Sequence, residues 1–131
     1  MSKVFPLILL SDRLTVCRLP PDALLPSWAE SNGLQAIIRT TDELCIICGE
    51  NKVPANITAE PDWRALKVQG PLVFSEVGVL AALANPLAEA GVSIFVISTF
   101  ETDYILVKKH DLDQAVKALQ KAGHTIRREN G

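Results

Sequence analysis

Two carboxylates stand where backbone and charge together could hold a small zwitterion. Glu76 lies in Phe74-Ser75-Glu76-Val77-Gly78-Val79, between an expected strand and the start of an expected helix, and Asp103 closes the polar link Ser98-Thr99-Phe100-Glu101-Thr102-Asp103. Unpaired N–H groups at a helix start, with the positive end of the helix dipole, favour a carboxylate. Flanking acids favour an ammonium group, and an α-amino acid carries both. Charge-assisted hydrogen bonds contribute about 1.5–3 kcal/mol each, so two or three support micromolar binding after the cost of association. The plainer reading is that Glu76 and Asp103 cap a helix and a turn.

The other reactive residues point to no chemistry of their own. Cys45-Ile46-Ile47-Cys48 has the spacing of a redox or metal pair but falls in an expected strand, where residues three apart face opposite sides. A structural zinc site needs two more ligands, and Cys17, His110 and His124 are scattered. Buried free thiols are the expectation, with no metal and no cofactor. The histidines lie at strand–helix boundaries without a serine or cysteine partner at motif spacing, and no glycine-rich phosphate loop, zincin helix or nucleophile elbow is present. No enzyme is expected; a small enzyme with His110 or His124 as base is the catalytic alternative.

Composition narrows the partners. The chain has 131 residues, 48% of them apolar, and a formal charge of −2 with acids and bases interspersed. That gives a substantial core and no basic face for nucleic acid. Phe95 and Tyr104 are the only candidates for stacking bases on an open sheet. Lys3 precedes the apolar run Val4 to Leu10, but Pro6 interrupts that run, Ser11-Asp12-Arg13 stops it, and no small-residue cleavage site follows. Asn85, Pro86 and Glu89 divide the best apolar stretch, well short of the ~20 residues of a membrane span. A soluble cytoplasmic protein is expected.

The elements that must position Glu76 and Asp103 come from periodicity. Ala65 to Gln69 alternates as a strand, and Leu80, Leu83, Leu87 and Ala90 recur at helical spacing before the stop Gly91. Val92 to Ile97 and Tyr104 to Val107 read as a hairpin. Leu112, Val116 and Leu119 give a second helix, with Asp111 to cap it, Gln114 three residues later and Gly123 to end it. His124 to Arg127 closes the series as a strand. Strand, helix, strand, strand, helix, strand is the ferredoxin-like βαββαβ order, an α+β fold with both helices on one face. Pro86 should kink the first helix or make it restart, because its ring removes one hydrogen bond and crowds the carbonyl of Ala82.

The first half reads as a partial copy. Phe5 to Leu10 and Leu14 to Leu19 suit a hairpin, Asp22 can cap a helix through about Ser31 with Leu24, Leu25, Trp28 and Ala29 as its buried side, and Leu34 to Arg39 and Leu44 to Cys48 suit strands. Helix, glycine, strand, Thr-Asp, strand occurs from Gly33 to Cys48 and again from Gly91 to Lys108, with Thr41-Asp42 matching Thr102-Asp103. Glu50 to Asp62, with Pro54 and Pro61, reads as a linker. Residues 1–62 are then a permuted, incomplete unit with Phe5 to Leu10 as its missing strand, and residues 63–131 a complete one.

The series Gly70 to Val79, Asn85 to Phe95 and Ser98 to Val107 resembles the ACT-domain proteins, and among them small bacterial two-ACT proteins related to aspartokinase regulatory domains and to the animal cytosolic arginine sensors. The resemblance implies tandem ACT units that bind an amino acid at a domain or subunit interface. It places the ligand on Ser75, Glu76, Val77 and Gly78, then on Thr99, Phe100, Thr102 and Asp103. The first unit has Leu-Pro-Pro-Asp at positions 19–22 in place of Ser75 to Gly78, so one site per chain is expected. The function implied is a non-catalytic, amino-acid-binding sensor, a homodimer that signals to a protein partner. The alternative is an assembly module whose site has decayed.

Overall fold

A strand of eleven residues, β5 (Thr58–Val68), forms where a linker was expected to end, and it does so in spite of Pro61. It belongs to a computed structural model that describes residues 3–30, 32–73 and 76–129. The remaining elements are β1 (Pro6–Leu9), β2 (Leu14–Leu19), β3 (Ala36–Arg39), β4 (Leu44–Gly49), α1 (Val79–Glu89), β6 (Ile94–Ser98), β7 (Asp103–Lys108), α2 (Leu112–Lys121) and β8 (Thr125–Arg128). Two units divide the chain, one of residues 12–63 and one of residues up to 11 with 64–131.

In the larger unit β5, α1, β6, β7, α2 and β8 follow in the βαββαβ order, as the periodicity predicts. The strand order is β6-β7-β5-β1-β8. β1 is thus inserted between β5 and β8, antiparallel to the first (Leu7 opposite Val68) and parallel to the second (Leu7 opposite Ile126). Leu7 and Leu9 join Leu66, Val68, Ile105 and Val107 under the helix residues Leu83, Leu87, Ala115 and Leu119 in one buried cluster. Each such leucine stabilises by about 1.5–3 kcal/mol relative to exposure. This burial explains why Phe5 to Leu10 does not complete the first unit, and why it makes no hairpin with β2, whose partners are β4 and β5.

Pro86 neither breaks nor restarts α1, which runs through it from Val79 to Glu89. The carbonyl that proline leaves without a helical donor is that of Ala82, and His124 Nε2 lies 2.9 Å from it. His124 Nδ1 accepts the Phe5 N–H at 3.0 Å, which puts the ring proton on Nε2 to donate to Ala82. The ring is buried and stacks on Phe5 with centroids 6.1 Å apart. At the second helix Asp111 makes no capping bond. Gln114, expected to reach back to it, donates instead to the Ala90 carbonyl.

In the smaller unit the strand order is β3-β4-β2-β5, using the first half of β5. Leu14 faces Trp63 and Val16 faces Glu60, so Pro61 and Asp62 together oppose Thr15 in a β-bulge. Asp62 takes the left-handed conformation there, with φ +67°. A bulge is where a strand tolerates a residue without an N–H. The helix expected from Asp22 is absent among the described residues, and one 3-10 turn, Ser27–Ala29, stands in its place. Pro26 lacks the N–H that would bond the Asp22 carbonyl, and its ring crowds that carbonyl. Leu24 is 91% exposed, whereas Ala29 is fully buried. Ser31 lies outside the described residues.

All three cysteines are free, with Cys17 and Cys48 buried against Leu44 and Ile46 and Cys45 half-buried. Burial pushes the Cys17 thiol up from 9.0 to about 11, and the neighbouring Cys48 adds to the rise. Cys45 and Cys48 are raised as well, mainly by burial. The folded chain therefore holds the Cys17 proton where the unfolded chain has lost it. Its stability contribution is complete below pH 9 and declines as pH rises toward 11, by roughly 2–3 kcal/mol for a shift of this size. Urea unfolding at pH 8 and pH 10.5 should show a smaller alkaline loss in Cys17→Ala than in the wild type. Equal losses would remove the thiol from the explanation.

Candidate functional site

The segment between β5 and α1 is tied down from both ends. Gln69 N–H donates to Pro6 O at 2.9 Å, the Gly70–Pro71 peptide is cis, and Leu72 N–H donates to Glu101 O at 2.7 Å. A side chain at Gly70 would meet Glu101 O at 3.1 Å and Thr102 Cβ at 3.3 Å, so this approach of the two loops suits glycine. Glu76 N–H donates to Val73 O at 3.0 Å, and Gly78 turns the chain into α1 with φ +83°. Among the described residues no side chain caps α1, whose first intrahelical bond runs from Ala82 N–H to Gly78 O, so the N–H groups of its first turn have no partner within the helix.

The β6–β7 link is a cinched turn. Thr99 N–H donates to Thr102 O at 2.8 Å, Thr102 N–H donates to Thr99 Oγ1 at 3.3 Å, and Thr102 Oγ1–H donates to Val68 O at 2.6 Å. Thr102 is 5% exposed and its hydroxyl proton is committed to β5. Asp103 opens β7 opposite Ser98. The first repeat closes its β3–β4 link the same way, with Thr40 N–H donating to Glu43 O at 2.9 Å and Thr40 Oγ1 accepting from Asp42 and Glu43. Thr40 thus matches Thr99, and Asp42 matches Glu101 instead of Asp103, two residues from the alignment by Thr-Asp pairs.

These two segments enclose a cavity of about 310 Å³ lined by Leu72, Val73, Glu76, Gly78, Val79, Leu80, Ser98, Thr99, Phe100, Glu101, Thr102 and Asp103. Glu76, Gly78, Thr99, Phe100, Thr102 and Asp103 are therefore brought together. Val77 is 75% exposed and stands off the lining, and Ser75 lies outside the described residues. Glu101 is the acid that spacing did not single out; its signal was the position it shares with Asp42. Three carboxylates and no Lys, Arg or His stand among the described lining residues. Lys3 reaches the rim from outside, ion-paired with Glu76 and donating to Val77 O at 2.8 Å. Val73, Val77, Leu80 and Phe100, the last 78% exposed, make the surroundings of the cavity apolar. Neither His110, beside Asp111 on the surface, nor His124, in the core, is on the lining.

A βαββαβ unit with an acid-lined cavity between its first loop and its β6–β7 link defines a class. Residues 58–121 match the ACT-domain family, so that part of the chain is an ACT domain, and residues 12–56 match a separate N-terminal domain. Over its length the chain is similar to protein Atu0741 from Agobacterium tumefaciens, with 35% identity, a TM-score of 0.93, and 98% of this chain and 96% of that one covered. It is 40% identical over 60 residues to the human cytosolic arginine sensor for mTORC1 subunit 1, covering 45% of this chain and 18% of that protein. The chain thus spans less than a fifth of the arginine sensor's length. The regulatory subunit of aspartate kinase from Thermus thermophilus shares the fold, at 13% identity and a TM-score of 0.57, with 86% and 93% covered. No helix among the described residues is long and apolar enough to cross a membrane.

Proposed function

We propose that this is a cytoplasmic, non-catalytic regulatory protein that binds one amino acid per chain in the cavity between the β5–α1 segment and the β6–β7 link. The observation that carries the reading is the lining: three carboxylates with no basic side chain among its described residues, beside the first turn of a helix that no described side chain caps. The helix N–H groups would take the ligand's carboxylate, and Asp103, Glu101 and Glu76 its cationic groups. The arginine sensing named in one relative and the regulatory role named in another support an amino acid as ligand.

The apolar surroundings support a second copy of the chain as the lid. Val73, Val77, Leu80 and Phe100 are exposed hydrophobic residues around the acids, and a homodimer that covers them would place the ligand at the subunit interface. Regulation follows by linkage, because a ligand that bridges two subunits favours whichever arrangement binds it better, by the difference in affinity alone.

The test is the unfolding midpoint of the purified protein against each of the twenty amino acids, followed by light scattering with any hit. At about a hundredfold excess over Kd, binding adds roughly 2.7 kcal/mol and raises the midpoint by several degrees. A shift with one amino acid and a change of mass identify ligand and dimer together. No shift at millimolar concentrations would replace the sensor with an assembly module.

A further inference from the structure

Lys3 is placed with more care than a surface residue requires. Two positions downstream, Phe5 is fixed by its N–H bond to His124 Nδ1 and by the stacked ring, so the chain ahead of β1 is delivered to the mouth of the cavity. There the Lys3 ammonium pairs with Glu76, a lining carboxylate 73 positions away, and also donates to the carbonyl of Val77. Lys3 itself does not line the cavity. One of three lining acids is thus already engaged by a cation of the same chain, while Glu101 and Asp103 are the other two.

We infer that Lys3 is a specificity-determining residue of this site, an internal cation that competes for Glu76 with any ligand carrying a second positive charge. The inference rests on the amino-acid-binding reading above. A ligand with an uncharged side chain places a single ammonium and can be satisfied by Asp103 and Glu101, leaving the Lys3 pair intact. A ligand with a cationic side chain gains from Glu76 only by displacing Lys3, and it meets the repulsion of that ammonium on the way. Lys3 therefore narrows the advantage that three acids would otherwise give to dicationic amino acids.

Binding of arginine, lysine and the uncharged amino acids to wild type, Lys3→Met and Lys3→Arg provides the test. Methionine keeps the aliphatic stem and removes the charge. An exposed ion pair is worth up to about 1 kcal/mol, and the lost repulsion adds to it, so Lys3→Met should bind arginine and lysine about five- to tenfold more tightly, with uncharged ligands changed less than twofold. Lys3→Arg should behave as wild type. If the wild type binds an amino acid and loses it in Asp103→Ala, yet Lys3→Met leaves every affinity unchanged, the inference fails and the site reading stands. If none of the variants binds any amino acid, both fall together.

Discussion

His124→Ala is expected to lower the unfolding free energy by about 3–5 kcal/mol, among the largest effects available to one substitution here. Two partly buried backbone groups lose their partners at once, the Phe5 N–H and the Ala82 carbonyl, at roughly 1–3 kcal/mol each, and the ring's packing on Phe5 is lost as well. The assignment of the Ala82 bond can be isolated. Pro86→Ala restores an N–H four residues after Ala82, so it should recover about 1 kcal/mol more in the His124→Ala background than in the wild type. Denaturant unfolding of the four proteins measures this. Strict additivity would mean that His124 is not serving the carbonyl that proline leaves open.

Asp103→Ala should weaken binding of the ligand found in the amino-acid screen by about thirtyfold or more, and Glu76→Ala by less. Asp103 stands on the cavity lining at the first position of β7, and a charge-assisted hydrogen bond removed from a partly enclosed site costs about 2–4 kcal/mol in binding. Glu76 is shared with Lys3, so part of its charge is already offset. The unfolding midpoint without ligand should stay within about a degree or two in both variants, because neither side chain is in the buried cluster. Calorimetric titration that finds wild-type affinity in both would move the ligand away from this cavity altogether.

Much of the larger unit was legible because its signals are local. Leu83 and Leu87 on α1 and Leu119 on α2 follow the expected helical spacing, though Ala115 is buried in place of Val116, and Gly91 and Gly123 indeed take positive φ. What stayed hidden was set by partners far along the chain. Nothing near Pro86 says that His124 will supply the missing donor, and nothing near Leu7 says that β1 will enter between β5 and β8. The bulge at Pro61 and Asp62 made a strand look like a linker, since proline within a strand is a breaker unless a bulge receives it. At the site, Glu76 and Asp103 stood out by position. Glu101 was masked by its turn, and Lys3 by a separation of 73 residues from the carboxylate it meets.

The insertion of β1 also orders events during synthesis. Its hydrogen-bond partners lie more than fifty residues downstream on one side and more than a hundred on the other, so β1 leaves the ribosome long before either strand exists. Residues 12–63, by contrast, hold within one short span all the strands they pair with and can complete their unit first. The larger unit must wait for its last strand, and such distant pairing belongs to the slow, millisecond-to-second end of domain folding. Until then the apolar strip of Leu7 and Leu9 lacks the cluster that buries it in the folded unit.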